Sequence, residues 1–315
     1  MRHEPEEQVN MRGLDFALND ICLAAFTTLA PGAALAYVAL ACTLLFGHFD
    51  APMRHRLESW LIVPLALATV GLVASATHLG TPSNALYVLR TIGSSPLATE
   101  VFFTVLFLGT ACSYWLGCIY IEGKQALRRL WLLASIAAAG LFITGTDLAY
   151  AMPTVITWDT GLARAILPCT ALACMAPLAL PIYTCSGYTN NIKAMYSLAG
   201  ISLAATAAAC VLMAMQYVEL GTQRNAFGTA AELVPLYPTT IAAFCMCLAC
   251  ANLVSLRVAN GLTPNSRRTE TSAGDFSPTE RKAIAKLIAM CALAYIGTFA
   301  VRFCFYCFHM TSGVV

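Results

Sequence analysis

The chain has 315 residues, 59% of them hydrophobic and 11% charged, under half the roughly 25% charge of a typical soluble domain; a soluble globular fold is excluded. A net charge of +2 offers no basic field for nucleic acid. Fourteen cysteines fall mostly in apolar stretches, where Cys behaves as a small hydrophobe, so they report neither a disulfide framework nor a compartment.

A membrane span needs about 20 apolar residues to cross about 30 Å of hydrocarbon at a 1.5 Å rise. The first residues are acidic (Glu4, Glu6, Glu7) and lack the basic region and cleavage site of a secretory signal, so the first apolar run is expected to be a retained span. In chain order the predicted spans are 21–47, 60–79, 100–121, 130–152, 162–183, 196–218, 237–258 and 285–308. They are read as helices, because backbone groups in lipid must be satisfied within the segment. The predicted fold is all-α: one transmembrane domain over residues 1–315, a bundle of about eight helices. Pro31, Pro168, Pro177 and Pro181 lie inside windows and predict kinks. The stretch from Asn260 to about Glu280, rich in Ser, Thr, Asn and Arg, is expected to be a loop.

Loop charge sets the expected orientation. Twelve basic residues follow the odd-numbered spans (Arg54, Arg56, Lys124, Arg128, Arg129, Lys193, Arg257, Arg267, Arg268, Arg281, Lys282, Lys286). Five face them from the other side (Arg2, Arg12, Arg90, Arg164, Arg224), with Arg302 inside the last span. Both termini are therefore expected outside and the basic loops in the cytoplasm.

Ionisable groups at membrane depth are costly and point to function. Here Asp20, His78, Glu100, Asp147 and Glu219 all fall at the outer ends of predicted spans. The segment HLGTPSNALYVLRTIGSSPLATE from His78 to Glu100 is the most informative. Gly80 and Pro82 stop the second span after the histidine. Ala85, Val88, Leu89 and Ile92 then recur as one apolar helical face, predicting a short interfacial helix with Arg90 reaching outward. Gly93 to Pro96 end it, and Thr99 is placed to cap the third span. An imidazole beside a carboxylate at an apolar boundary suits oxidation of a quinol, which loses two protons with two electrons. His78 can accept a proton near neutral pH, and Glu100 can relay it to water. Asp147 and Tyr150, one turn apart, are candidates for the same pocket. Read blandly, the histidine faces water, the glutamate opens a helix whose N-terminus favours negative charge, and Glu219 is solvated.

At this segment the sequence resembles the membrane anchor subunits of dimethyl sulfoxide reductases, the DmsC family. His78-Leu79-Gly80, Pro82, Ala85, Gly93, Ser95, Leu97 and Glu100 carry the resemblance, with a weaker echo in Asp20, Phe26 and Thr27. It implies a chain without haem or metal in a bacterial plasma (inner) membrane. Such a chain oxidises menaquinol and passes electrons to an iron–sulfur subunit feeding a molybdopterin catalytic subunit. It further implies quinol-linked roles for His78, Gly80 and Glu100. Asn84 stands where some members have an arginine, leaving Arg90 as the nearest guanidinium.

Alternatives stay open. Polysulfide and tetrathionate reductases use anchors of similar appearance. A di-haem anchor needs histidine pairs on facing helices; only His78 and His309 are attached to spans on one side, with His48 and His55 on the other, so at most one haem could be built at the outer face. A secondary transporter needs polar groups near the midplane, where Ala, Leu, Cys and Thr prevail. Cys304 and Cys307 form a CxxC inside an apolar span, read as packing. No metal-ligating set is expected.

Overall fold

The computed structural model describes residues 6–77, 90–120, 124–188, 192–225, 228–261 and 278–311. Ten α-helices run in order: α1 (Glu6–Asn19), α2 (Ile21–Phe46), α3 (Ala51–Trp60), α4 (Ile62–Thr77), α5 (Pro96–Tyr120), α6 (Gln125–Ala149), α7 (Gly161–Ser186), α8 (Ile192–Leu220), α9 (Tyr237–Gly261) and α10 (Pro278–Cys307). Among the described residues, α2 to α10 make eight helices long and apolar enough to cross a membrane, α3 and α4 counting as one and α1 standing apart. A two-stranded hairpin, Arg224–Asn225 with Gly228–Thr229, and a short 3-10 turn, Ala230–Leu233, lie between α8 and α9.

Several helices start earlier than their apolar windows. The span expected from residue 60 begins at Ala51, and the one expected from 285 begins at Pro278. Their first turns carry charged side chains, which a hydropathy window rejects but which water or partners can satisfy at the end of a span. The junction of α3 and α4 has a local cause. Pro64 has no N–H to give the Trp60 carbonyl four residues back, so the helix resets at Leu61.

The predicted proline kinks do not break α7, which runs unbroken past Pro168, Pro177 and Pro181 and is buried along most of its length. Pro177 leaves the Ala173 carbonyl without its intrahelical donor. The Ser202 hydroxyl of α8 donates to that oxygen instead, at 2.5 Å. Neighbouring helices thus re-satisfy the backbone, as lipid demands.

α2 and α7 pack on each other at the centre. α4 and α6 flank α2, α5 joins α4 and α6, and α8, α9 and α10 close around α7. Small residues set the close crossings. A Cβ on Gly32 of α2 would lie 2.9 Å from the Cys174 Cβ of α7. Helix direction alternates, so one end of the bundle gathers Asp20, Glu100, Tyr150 and His309, and the other gathers Glu58, Arg128 and Ser186. These are the Glu100 end and the Glu58 end below.

Candidate functional site at the Glu100 end

The third span begins at Pro96, not at Glu100. Proline at the first helical position needs no N–H partner, and the Ser95 hydroxyl accepts from the Ala98 N–H at 3.4 Å, the position of a cap. Thr99 is therefore not the cap. Its hydroxyl accepts from the Gly93 N–H at 3.0 Å and donates to the Ser95 carbonyl at 2.9 Å, tying the preceding turn down. The shift carries Glu100 one turn into the helix, where it is only 3% exposed.

Glu100 is held against α6 by a missing side chain. A Cβ on Gly145 would meet the Phe103 ring at 2.8 Å and the Glu100 Cα at 3.5 Å, so glycine lets the helices close there. The polar groups acting on the carboxyl are the Thr146 hydroxyl of α6 and the Arg302 guanidinium of α10. One carboxyl oxygen, Oε1, is buried with no hydrogen-bond partner among the described residues.

Arg302 is 1% exposed. Its Nε donates to the Thr27 hydroxyl of α2 at 3.2 Å. Its face lies 4.5 Å from the centre of the Phe305 ring and 5.7 Å from that of Tyr150, within cation–π range. Nη2 is buried and unpartnered among the described residues. Glu100 and Arg302 attract one another across the site, yet no ion pair between them is formed.

Tyr150 follows the last residue of α6, which stops ahead of Pro153. Its hydroxyl hydrogen-bonds that of Tyr306 at 2.5 Å. The loop beyond is latched to the end of α10. The Thr157 hydroxyl donates to the Phe308 carbonyl at 2.7 Å, and the Trp158 indole to the Phe305 carbonyl at 3.1 Å. These bonds lock Tyr150, Trp158, Phe305 and Tyr306 into one aromatic cluster.

The predicted residues divide as follows. Glu100, Asp147 and Tyr150 come together around Arg302, whose charge reaches all three. Asp147 also feels Arg164, and its Oδ1 is buried without a partner among the described residues. Arg90 is exposed. Glu219, expected to be solvated, is half-buried, with one carboxylate oxygen unpartnered among the described residues. His78 and Gly80 lie outside the described residues, and of the interfacial helix predicted over Ala85 to Ile92 only Arg90 to Ile92 are described. Thr77, the last described residue of α4 and the one before His78, has its hydroxyl on Cys22 Sγ at 3.2 Å.

Arg302, Tyr306 and Thr146 are not among the candidate site residues of the sequence, and Thr27 enters there only through the family resemblance. Arg302 carried a signal, as a charge inside the last span. What no sequence pattern supplies is that spans one, three, four and eight meet at one point.

A family profile described as "DMSO reductase anchor subunit (DmsC)" matches residues 14–266. The chain is 30% identical over 261 residues to the YnfH chain of anaerobic dimethyl sulfoxide reductase from Escherichia coli (strain K12), covering 83% of this chain and 85% of that protein. It is 28% identical over 216 residues to the C subunit of anaerobic dimethyl sulfoxide reductase from the same strain, covering 67% and 74%. The C subunit of the Haemophilus influenzae enzyme is 27% identical over 238 residues, covering 74% and 83%. With eight membrane-crossing helices and a match over most of its length, this multi-pass chain belongs to the DMSO reductase anchor subunit family.

Proposed function

We propose that this anchor binds menaquinol at the Glu100 end and oxidises it on behalf of its partners. The observation that carries the reading is the buried Glu100 carboxyl, unpartnered at one oxygen, at the end of the bundle where the chain enters His78. A buried polar group without a partner costs free energy, and a quinol hydroxyl supplies the missing hydrogen bond.

The chemistry then balances. The two ring hydroxyls break their O–H bonds, and two electrons pass to an iron–sulfur centre on an electron-transfer subunit. That subunit feeds a molybdopterin catalytic subunit, the partner implied by the family resemblance. His78 takes the proton of one ring hydroxyl, Glu100 takes that of the other, and both protons leave to water at this face. The loop charges support an arrangement with this face and both termini outside the bacterial plasma membrane. The aromatic cluster behind Tyr150 offers a flat apolar wall to the ring, and the tail lies between helices.

His78→Ala in the purified complex tests this. The variant is expected to assemble and to turn over with an artificial donor that bypasses the membrane site. Quinol-dependent turnover is expected to fall roughly a hundred- to ten-thousand-fold, the usual contribution of a general acid–base group. An assembled variant with unchanged quinol-dependent turnover overturns the proposal.

A further inference from the structure

Resting on that reading, we propose that Arg302 is a second hydrogen-bonding pole of the quinol pocket, donating to the same ring oxygen that gives its proton toward Glu100. Arg302 lies beyond residues 14–266, the stretch the family profile matches, so the family likeness does not supply this role.

The geometry makes the case. Guanidinium is planar, with five N–H donors along its edge and an apolar face on either side. Here a face is turned to Phe305 and Tyr150, and the Nε edge is spent on Thr27. Nη2 is left over, buried and without an acceptor among the described residues. On α5, Glu100 Oε1 is the complementary case: a buried acceptor without a donor. The two groups form no ion pair, so a separation remains between them with an unused donor on one side and an unused acceptor on the other among the described residues. Thr27 restrains Arg302 from closing it, through the bond to Nε, and Gly145 fixes where α5 lies.

A hydroxyl is the group that fits such a gap, because it donates through its hydrogen and accepts through its oxygen. When the quinol is oxidised, the O–H bond breaks and the proton moves to the carboxylate. The electrons leave to the partner's iron–sulfur centre, and the ring oxygen becomes a carbonyl. That carbonyl still accepts from Nη2. Arg302 keeps its own protons throughout, so it positions the ring and stabilises the oxygen while it loses its hydrogen.

The test uses the whole complex and a short-tailed naphthoquinol. Turnover with the bypassing donor measures how much complex has assembled, and rates are divided by it. Arg302→Met should raise the KM for the naphthoquinol about ten- to a hundred-fold, the loss of one charge-assisted hydrogen bond. Arg302→Lys should recover part of that. An assembled Arg302→Met complex with a KM within about twofold of the parent overturns the proposal, since a merely structural arginine would leave KM alone. If Arg302→Met does not assemble, the neutral pair Glu100→Gln with Arg302→Gln leaves no buried charge uncompensated between them. It is compared with Glu100→Gln alone: a further rise in KM supports the proposal, and equal values overturn it. A parent complex that turns over no quinol at all would instead remove the function reading itself.

Discussion

Two glutamates are buried to the same degree at opposite ends of this bundle, Glu58 at 2% and Glu100 at 3% exposure, and their surroundings differ in kind. Glu58 Oε1 accepts from Arg54 Nε at 3.1 Å and from the Tyr114 hydroxyl at 2.9 Å. Arg128 Nη1 sits 3.4 Å from Oε2, while its Nη2 donates to the Cys118 carbonyl at 2.9 Å. No atom of that cluster is an orphan among the described residues. Three helices, α3, α5 and α6, are stapled there. At the Glu100 end a carboxylate, an aspartate and a guanidinium each keep a buried atom unpartnered among the described residues. Burial alone therefore does not mark a site; what sets the Glu100 end apart is that three buried ionisable groups there share an incomplete hydrogen-bond account.

The comparison predicts opposite outcomes for the same substitution. Glu100→Gln removes a charge that the described residues leave unpaired at one oxygen. Assembly and thermal stability should hold, while quinol-dependent turnover falls at least tenfold, more mildly than in His78→Ala because water at the interface replaces part of a relay. Glu58→Gln should do the reverse, since it leaves two arginines facing a neutral amide. Removing one partner of a buried pair costs about 3–5 kcal/mol, and Arg54 at 22% and Arg128 at 16% exposure bring this toward the lower figure. The melting temperature of the complex should drop, with turnover per assembled complex unchanged. If both substitutions act on stability, or both on turnover, the distinction between the two ends is wrong.

Much of the architecture was legible. Apolar length alone marked the eight spans, because a bilayer imposes one element length. The amphiphilic α1 was not read as a helix. Its sequence, EEQVNMRGLDFALN, has no continuous apolar run, and it docks on α10 and the 230–233 turn through Gly13. A Cβ there would collide with the Leu233 carbonyl oxygen, a contact set by residues more than two hundred positions away. The start of α5 was readable from Ser95-Pro96 but was placed at Glu100, which put the carboxylate at the interface and not inside. Side-chain chemistry nominates Glu100, Asp147 and Tyr150 in the sequence, whereas Arg302 stands there only as a charge inside the last span, since helix order around the bundle is not written in hydropathy.

A smaller effect follows from the same accounting at α7. Ser202→Ala deletes the donor that Pro177 makes necessary at the Ala173 carbonyl. Interhelical hydrogen bonds in membranes average about 0.6 kcal/mol, so the melting temperature should fall slightly with turnover unaffected. Ser202→Thr, which retains the hydroxyl, should restore it. An equal loss in both would mean that packing, not the hydrogen bond, holds α8 to α7.

The smallest effect concerns His309, two residues past α10 and at the Glu100 end. Its ring lies 4.7 Å from Trp158 and edge-on to Phe16 at 5.5 Å. Burial pushes its pKa below the usual 6.5, with the Asp20 carboxylate pulling the other way. The folded chain therefore binds this proton less readily than the unfolded chain. By linkage, the contribution to stability is fully present above the unfolded value of about 6.5 and is lost as pH falls through the folded one. Because the ring is half-buried and Asp20 offsets part of the burial, the loss is modest. The melting temperature of the complex should fall between pH 7.5 and pH 5.5 by more than it does in His309→Gln, whose side chain does not titrate. The difference between the two slopes isolates this imidazole from every other titrating group. Parallel slopes would mean that protonated His309 is as well accommodated as the neutral ring, with Asp20 and not Trp158 deciding its charge.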